Sequence, residues 1–490
     1  MLNSQTFPPR GCFCPHLVFA VVFLFLSLFF WHSLLFDADI GIHVRAGNWI
    51  LDHHEMPKIE MSTFSPTESE WTVHIWFSEV LMGVAYRFFG MPGITFLFAG
   101  LYGVFYALLF WLFRKKGLCD WASFLLVLLC VSASLYNLGA RPYLFSWFFI
   151  LLWIHILENH RTGASWKVLI LLPASMMLWV NMHGGWFSGV LILGIYGLVP
   201  LLLSGKGEAD ADICQRRFKE LFFCGIFCML AACANPYGYK IFIFVFKVLT
   251  ESYWVNNITE YASPDFHNPY QKLSLIYLAF VFFVFLSCGK KFAWEIVGLL
   301  VLHLYMGLYS LRAFPLFIIV SAPFAAECFS GFVLADTKFS SEKDSILWYR
   351  PAISILSVLI VLGVYKTSLV TPDFNKTPHP GFAAEFLFEK RPNARLFSSI
   401  QYGSYIVYRG WPDAKVFIDG RVDAYGEKRF NDLIRVERMR PGWKEALDEY
   451  DIDSIMYPTN SVFAWRLKNE HNDTWTEVFS DNTATVFFRR

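Results

Sequence analysis

Charged residues are scarce in this 490-residue chain, and their scarcity excludes an ordinary soluble protein. Asp, Glu, Lys and Arg together make up 17% of the residues, whereas soluble domains average about 25%. Hydrophobic residues make up 56% and aromatic residues 19%. The formal net charge is only +1, and no run of lysine and arginine marks a surface for nucleic acid. The composition therefore indicates a polytopic membrane protein without a nucleic-acid partner.

Other absences narrow the possible functions. The sequence has no glycine-rich phosphate loop, no Walker motif and no internal repeat. Transporters are commonly built from repeats that meet near the bilayer midplane, so the missing repeat argues against that class. The last cysteine is Cys328, so residues 371–490 need no disulfide framework. The pair Cys12-Phe-Cys14 has no second pair to complete a metal site.

Long apolar runs occupy most of residues 1–370, which we predict to form a transmembrane domain. A helix that crosses a bilayer needs about 20 apolar residues. The sequence predicts eleven spans, at 17–36, 93–113, 121–138, 142–158, 166–182, 185–204, 219–234, 271–288, 291–309, 313–333 and 348–370. The first is too long for an ordinary signal peptide and has no small-residue cleavage site, so we expect it to be retained.

Basic residues in the short connections orient these helices, because cytoplasmic loops carry an excess of lysine and arginine. With the N-terminus in the cytoplasm, that side receives Arg114-Lys115-Lys116, Arg161 with Lys167, Arg216-Arg217-Lys219, Lys290-Lys291, and Lys338 with Lys343 and Arg350. This orientation requires that 71–90, which contains Glu79 and Arg87, be a helix at the outer interface rather than a crossing. In a twelve-span alternative, 74–90 crosses and the Arg114 connection lies outside.

The polar motifs between the apolar runs then share the outer side of the membrane. They are 37–79, Gly139-Ala-Arg141-Pro142, Asn181-Met-His183-Gly-Gly-Trp186, Asn235-Pro-Tyr-Gly238, Pro264-Asp265-Phe-His267 and Ser310-Leu-Arg312. Each motif alone is also typical of a helix break at a membrane boundary, whereas six on one side predict a composite cavity. The stretch 240–249 is too short to span, so we expect a re-entrant or interfacial helix there.

The first outer loop, residues 37–92, begins with a dense set of ionisable residues. Asp37, Asp39, His43 and Arg45 follow directly on the first apolar run. Ionisable groups are costly to keep near lipid, so a functional site is the leading interpretation. A polar loop after an anchor helix is an equally open alternative from the residue types alone.

Residues 371–490 have a different pattern, and we call them the C-terminal region. Short strand patterns at 394–398, 415–418, 454–457, 475–479 and 484–489 alternate with helical patterns at 402–409, 442–450 and 461–470. This alternation predicts a small α/β domain with some parallel pairing and an antiparallel edge. Asp419, Arg421 and Asp423 follow the second strand pattern, where ligands often bind, although a salt-bridged turn is favoured.

An ordered set of motifs runs along nearly the whole chain. The pattern Asp-x-Asp-x-x-x-His-x-x-x-Gly-x-x-Ile-Leu is matched by Asp37, Asp39, His43, Gly47, Ile50 and Leu51. Pro57, Phe64-Ser65, His74, Trp76 and Glu79 follow, then the five later outer motifs up to Arg312-Ala-Phe-Pro315-Leu-Phe317, then Tyr402-Gly403 and Ile418-Asp419-Gly420-Arg421. In this order the motifs resemble those of GT-C-fold membrane glycosyltransferases, especially bacterial proteins akin to the protein mannosyltransferases and the aminoarabinose transferase. The chain departs at Ile40-Gly41-Ile42, where relatives often carry aromatic residues.

The resemblance implies inverting transfer of a sugar from a polyprenyl-phosphate donor to a lipid, glycan or protein acceptor. A phosphate leaves without a strong acid when its charge is stabilised, and the acceptor hydroxyl needs one carboxylate as base. Asp39 is expected to be that base rather than Asp37, because the family's second acidic position is followed four residues on by histidine. Arg141 and Arg312 are expected to bind the phosphate. The other substrate-binding candidates are His43, Arg45, His74, Glu79, His183, Asp265 and His267.

Some points stay open at the level of sequence. Some relatives need a metal and others do not, so a divalent cation held by Asp39, His43, His74 and Glu79 is an alternative to a metal-free site, although the spacing is no zinc signature. A lipid-linked sugar transporter or flippase and a non-catalytic membrane sensor are the competing functions. The resemblance implies a bacterial inner-membrane protein whose C-terminal region is extracytoplasmic.

Overall fold

Helix dominates the computed structural model, at 71%, and a small sheet lies near the C-terminus. The structure describes residues 14–57, 62–64, 71–203, 208–251, 253, 257–289, 291–331, 349–366, 372–374 and 377–490. Of the residues singled out above, Cys12, Ser65, Lys290, Lys338 and Lys343 lie outside these ranges.

The helices that precede the C-terminal region are mostly long and apolar. They are α1 (Pro15–Leu24), α2 (Trp31–Leu34), α3 (Asp39–His53), α4 (Trp76–Lys115), α5 (Asp120–Ser134), α6 (Tyr143–Arg161), α7 (Leu171–Met182), α8 (Trp186–Leu203), α9 (Glu208–Ala232), α10 (Lys240–Thr250), α11 (Pro269–Ser287), α12 (Trp294–Tyr309), α13 (Phe314–Phe329) and α14 (Tyr349–Lys366). A π-helical stretch, Phe25–Phe29, follows α1, and 3₁₀ turns lie at Leu135–Asn137, Trp166–Ile170, Thr259–Tyr261 and Leu311–Ala313.

Every range predicted to span contains a helix, but fewer helices reach membrane-spanning length. Within the described residues, four are long and apolar enough to cross a membrane: Trp76–Lys115, Asp120–Asn137, Pro269–Ser287 and Leu311–Phe329. Shorter apolar helices occupy Pro15–Phe29, Trp166–Met182, Trp186–Leu202, Trp294–Tyr309 and Ser354–Val364. The protein is therefore mostly helical with apolar helices suited to a membrane, and the count of eleven crossings stays a prediction.

A sharp turn at Gly90 divides α4 into two segments. Gly90 has φ 63° and ψ −150°, a left-handed conformation that residues with a Cβ rarely adopt, and Pro92 follows it. A Cβ on Gly93 would lie 2.3 Å from the carbonyl oxygen of Ala85, whereas eight residues of straight helix span about 12 Å. The chain thus folds back on itself at Gly90, so 76–89 forms a helix distinct from the apolar segment after it.

The first segment of α4 packs closely against α3. A Cβ on Gly47 would lie 1.8 Å from the carbonyl oxygen of Glu79, and a Cβ on Gly83 would lie 2.9 Å from the carbonyl carbon of Gly47. The two backbones therefore touch where neither helix carries a side chain. This contact brings the polar residues of the first outer loop together on two adjoining helices.

The C-terminal region contains α15 (Gly381–Lys390), β1 (Leu396–Ser398), α16 (Ile400–Gly410), α17 (Val422–Glu437), α18 (Trp443–Glu449), β2 (Ser454–Pro458), α19 (Val462–Glu470), β3 (Trp475–Ser480) and β4 (Ala484–Arg489). The four strands form one sheet in the order β1-β2-β4-β3, parallel between β1 and β2 and antiparallel elsewhere. Phe397, Ile455 and Phe487 are paired across the first three strands and are fully buried. The predicted mixture of parallel pairing and an antiparallel edge is confirmed.

The predicted strand at 415–418 is wrong. Only Val416 pairs there, in isolated parallel bridges with Leu396 on one side and Thr63 on the other. Pairing by a single residue on each side does not make a strand. The N–H of Val416 donates to the Ser62 carbonyl at 2.8 Å. The first outer loop is thus joined to the edge of the C-terminal sheet.

The C-terminal region also packs directly on α3. Tyr408 of α16 lies against Gly41, where an added Cβ would be 2.4 Å from the Tyr408 Cβ. The linker before α15 reaches the end of the first helical stretch, because the ring of buried His379 stacks on Tyr405 and its Nε2 lies 3.4 Å from the Leu35 carbonyl oxygen. The N-terminal end of α3 is therefore enclosed by both parts of the chain.

Candidate functional site

Acidic and basic side chains gather at the N-terminal end of α3, in what we call the carboxylate–arginine cluster: Asp37, Asp39, Arg141, Glu260 and Arg312. Arg141, in the turn before α6, forms an ion pair with Asp37. The same Nη2 atom of Arg141 lies 3.6 Å from Asp39 Oδ2 and 3.3 Å from Glu260 Oε1. Asp37 and Asp39 of the first outer loop thus meet Arg141, which was singled out in a separate sequence motif.

Arg312 approaches the cluster from the other side of Glu260. Its Nη1 donates to the Tyr261 hydroxyl at 3.0 Å and lies 3.8 Å from Glu260 Oε2. Burial opposes ionisation of Glu260, but Arg141 and Arg312 outweigh it and lower the pKa of this carboxyl. Glu260 therefore carries a negative charge between two guanidinium groups.

Asp39, the first residue of α3, also contacts the C-terminal region. The hydroxyl of Ser404 donates to Asp39 Oδ1 at 2.8 Å. Burial raises the pKa of the Asp39 carboxyl, and His43 and the bond from Ser404 only partly offset this effect. The carboxylates of Asp419 and Glu260 raise the pKa further. A carboxylate in such surroundings has an increased affinity for protons.

His43 and Glu79 form a buried pair one helical turn beyond Asp39. Nδ1 of His43 lies 3.0 Å from Glu79 Oε1. Glu79 is 2% exposed, and its Oε2 has no hydrogen-bond partner among the residues that the structure describes. Because a buried carboxylate oxygen without a donor is costly, this position is suited to one further donor, such as a substrate hydroxyl or a cation.

His74 lies beside this pair on an aromatic wall. Its ring centroid is 4.6 Å from that of Phe244, on α10. Burial lowers the pKa of His74, and the nearby carboxylates of Asp423 and Glu79 oppose the decrease. The helix predicted at 240–249 is confirmed as α10, and its inner face contributes directly to the surroundings of His74.

His183 sits in the turn between α7 and α8 as a neutral hydrogen-bond acceptor. Its Nδ1 accepts from the N–H of Gly185 at 3.0 Å and lies 2.8 Å from the Ser146 hydroxyl oxygen. Since a backbone N–H can only donate, the neutral ring has its proton on Nε2. Burial lowers the pKa of His183 well below its ordinary value, with Arg312 as the next cause.

Two other motifs meet the His74 segment through structural hydrogen bonds. Trp76 Nε1 donates to Asn181 Oδ1 at 2.7 Å. The N–H of Val73 donates to the Tyr237 hydroxyl at 2.8 Å. These bonds engage Asn181 and Tyr237 of the two motifs and connect them to the entry of α4.

Arg45, Asp265 and His267 are not part of the cluster. Arg45 donates through Nε and Nη2 to the Tyr408 carbonyl oxygen, at 2.8 and 2.6 Å, and so joins α3 to α16. The Asp265 and His267 side chains are 66% and 100% exposed and face each other within one turn. The structure assigns these two a surface position rather than one beside the arginines.

The residues proposed to bind a cation contact protein partners in the structure. No group of three or more His, Cys, Asp or Glu side chains in the described part of the chain has the arrangement to hold a metal ion. Asp39 faces Ser404 and Arg141, whereas Glu79 faces His43. Glu79 Oε2, which has no hydrogen-bond partner among the described residues, fits a cation, and the four-residue ligand set stays a prediction.

Sequence reasoning did not select Glu260 or Ser404, and it named Gly420 and Asp423 in motifs of the C-terminal region without placing them beside Asp39 or His74. Glu260 lies in a polar run of the outer side, and that run was the available signal. Ser404 and Gly420 come from the C-terminal region, where no motif pointed towards Asp39. The predicted salt-bridged turn is present, since Arg421 Nε donates to Asp419 Oδ1 at 3.0 Å.

No protein-family profile matches the sequence, and no curated protein matches it significantly.

Proposed function

We propose that this protein transfers a sugar from a polyprenyl-phosphate donor to a lipid, glycan or protein acceptor at the outer face of a membrane. The observation that carries the proposal is the carboxylate–arginine cluster at the end of a set of apolar helices. A glycosyl transfer from phosphate needs one base and a cationic site for the leaving group. It does not need the two facing carboxylates of a glycosidase.

The length of α6, which is not one of the four helices that are long and apolar enough to cross by themselves, supports an outer site and a cytoplasmic opposite end. The helix starts beside Arg141 and has 19 residues, which span about 28 Å, close to the roughly 30 Å of a bilayer's hydrocarbon core. At its far end Arg161 is paired with Glu158, and Arg217 donates to the Arg161 carbonyl oxygen at 2.7 Å. Basic residues therefore gather about one membrane thickness from the cluster, in accord with the positive-inside rule.

Asp39 is the better base of the two first-loop aspartates. Asp37 is ion-paired with Arg141 and accepts the N–H of Asp39 at 3.0 Å, so both its oxygens are engaged. Asp39 lies farther from Arg141, and its surroundings raise its pKa. The raised proton affinity suits a group that takes a proton from the acceptor hydroxyl as the new glycosidic bond forms.

Arg141 and Arg312 supply the charge for the leaving group. As the acceptor oxygen bonds to the anomeric carbon, the bond from that carbon to the phosphate oxygen breaks, and the electron pair stays on the phosphate. The proton from the acceptor goes to Asp39, so the products are the glycoside and polyprenyl phosphate. Planar guanidinium groups donate two hydrogen bonds to a phosphate and stabilise this charge.

The test compares glycolipids, glycans and glycoproteins by mass spectrometry in cells with and without this chain. Wild type should restore a glycosylated product, and Asp39→Asn should not, because losing a general base costs about 100-fold to 10,000-fold in rate. Asp52→Asn is the control, since Asp52 is on the same helix and pairs with Arg87 at the surface. An Asp39→Asn protein that is inserted in the membrane and fully restores the product would show that Asp39 is not the base. A lipid-linked sugar that moves to the other leaflet without transfer of its sugar to an acceptor would instead support a flippase.

A further inference from the structure

The C-terminal region contacts Asp39 through a chain of two hydrogen bonds. The N–H of Gly420 donates to Ser404 Oγ at 2.9 Å, and Ser404 Oγ donates to Asp39 Oδ1 at 2.8 Å. A backbone N–H can only donate, so the serine oxygen accepts there and its own proton is available to Asp39. The other acceptor near the hydroxyl is the Ile400 carbonyl oxygen at 3.1 Å. The carboxylate is the closer and, when ionised, the stronger acceptor.

Gly420 leaves only enough room for the Asp39 carboxylate. A Cβ at this position would lie 1.8 Å from Asp39 Oδ1 and 2.3 Å from Asp39 Cγ. Any side chain on Gly420 would therefore displace the carboxylate or the loop. The backbone of Gly420 thus forms one wall of the space in which Asp39 lies.

The loop that carries Gly420 is fixed by buried hydrogen bonds. Asp419 is 0% exposed and is ion-paired with Arg421. The hydroxyls of Ser62 and Tyr425 donate to Asp419 Oδ2 at 3.1 and 2.8 Å. Arg421 and Tyr425 belong to the C-terminal region, whereas Ser62 belongs to the first outer loop. The wall beside Asp39 is therefore held rigidly against the loop from which Asp39 comes.

We propose that the C-terminal region is part of the transfer site, with Ser404 as a positioning residue that holds one oxygen of Asp39 so that the other faces the substrates. The inference rests on the proposed function, because it assigns Ser404 a role in that reaction. Asp39 Oδ1 is taken by Ser404, and Asp39 Oδ2 faces Arg141 at 3.6 Å. The acceptor hydroxyl would then meet the carboxylate oxygen that is nearest to the phosphate site.

Transfer kinetics of the full-length protein in detergent test this role. Ser404→Ala should lower kcat by about 10-fold to 100-fold, because a reacting group that loses its orientation loses rate, while the KM for the donor stays the same. Ser404→Thr keeps the hydroxyl and should recover most of the rate. Ser399→Ala is the control: Ser399 caps the same helix by accepting the N–H of Tyr402 and does not touch Asp39. Its kcat should match wild type. An unchanged kcat in Ser404→Ala would overturn the positioning role.

A double-mutant cycle on thermal unfolding tests the contact without reference to activity. Asp39→Ala and Ser404→Ala should each lower the melting temperature, and the double variant should lower it by less than the sum, because both remove the same hydrogen bond. Additive shifts would overturn the contact and with it the inference. If the cycle is non-additive but the wild-type protein shows no transfer activity, the proposed function is overturned, and with it the role of Ser404. A non-additive cycle with a fully active Ser404→Ala would overturn the positioning role alone.

Discussion

The two arginines of the cluster differ in how much opposite charge surrounds them. Arg141 faces the carboxylates of Asp37, Asp39 and Glu260 within 4.0 Å. Arg312 faces Glu260 at 3.8 Å and otherwise the neutral hydroxyl of Tyr261. Arg312 is therefore the less neutralised of the two, and the proposed donor phosphate would gain more from it. Arg141 also contacts the two aspartates, through its ion pair with Asp37 and at 3.6 Å from Asp39.

This difference predicts the behaviour of Arg312 variants. Arg312→Ala should lower kcat/KM for the donor by about 100-fold to 1,000-fold, the usual cost of removing one donor to a developing charge. Arg312→Lys should recover only part of the lost kcat/KM, because an ammonium group keeps the charge but lacks the planar pair of donors. Kinetics with varied donor concentration measure both effects.

A surface arginine provides the comparison for these variants. Arg409 pairs with Glu385 at 2.9 Å on the exposed side of the C-terminal region. Arg409→Ala should stay within about twofold of wild type, since exposed ion pairs contribute little. If Arg312→Ala behaves like Arg409→Ala, Arg312 does not contact the phosphate.

Sequence patterns identified the ionisable residues of the candidate site and missed the residues that only the tertiary fold brings there. Asp37, Asp39, Arg141 and Arg312 stand out because ionisable groups are rare in so apolar a chain. Ser404 is an ordinary helix residue in sequence, and only the packing of α16 on α3 brings it to Asp39. Such a contact depends on the relative position of two distant segments, which local patterns do not contain.

At the scale of elements, the close backbone contact between α3 and α4 keeps His43 and Glu79 within hydrogen-bond distance of each other. Gly47→Ala should lower the free energy of unfolding by about 1–3 kcal/mol, the typical cost of overpacking, because its Cβ would meet the Glu79 carbonyl oxygen. Separation of the helices should also reduce transfer activity. Thermal unfolding in detergent measures the first effect.

The matched control is a glycine with free space around it. A Cβ on Gly363, in α14, would have nothing within 4 Å. Gly363→Ala should leave stability unchanged or increase it by up to about 1 kcal/mol, since alanine favours the helix. Equal effects of the two substitutions would show that α3 and α4 do not touch at Gly47.

The linker to the C-terminal region is predicted to loosen in acid. Burial lowers the pKa of His379 to about 4, although the Leu35 carbonyl oxygen opposes the decrease. The unfolded pKa is about 6.5, so between these values the unfolded state binds the proton and the folded state does not. Stability from this group is complete above about pH 6.5 and is lost as the pH falls towards 4, up to about 3 kcal/mol.

Variants at His379 should show this dependence. The melting temperature of His379→Gln should fall less steeply than that of wild type between pH 6.5 and pH 4. His267→Gln is the control, because the His267 side chain is fully exposed. Parallel pH curves for wild type and His379→Gln would exclude a buried neutral His379.

Elements were predictable where periodicity is strong and unpredictable where tertiary contacts decide. The strands β2, β3 and β4 were predicted close to their observed bounds, and each predicted span contains a helix, although α9 begins at Glu208 rather than at the predicted 219. The helix α17 was missed, since Gly426 interrupts it at φ 78° and charged residues interrupt its apolar pattern. The stretch 415–418 has a strand's residue types but only single-residue bridges to either side.

At the scale of the whole molecule, the orientation in the membrane makes a direct prediction. In a cysteine-free background, a cysteine at Lys444 should react with an impermeant maleimide added outside the cell, and one at Arg216 should not, because basic connections stay in the cytoplasm. Lys444 is exposed and the Arg216 side chain is 73% exposed, so access depends on side alone. Permeabilised cells should label both positions. The reverse pattern in intact cells would invert the topology and exclude an outer site.

The contact of Gly420 with Asp39 also has a consequence for the order in which the protein is made. Asp39 leaves the ribosome early, whereas the residues that complete its surroundings are among the last. At about 5–20 residues per second, tens of seconds separate the two events. During that interval the nascent chain holds its aspartates and arginines in the membrane without the Ser404 and Gly420 wall. If Asp39 is the base as proposed, a product that ends before Ser404 is expected to be inactive, because it lacks this wall.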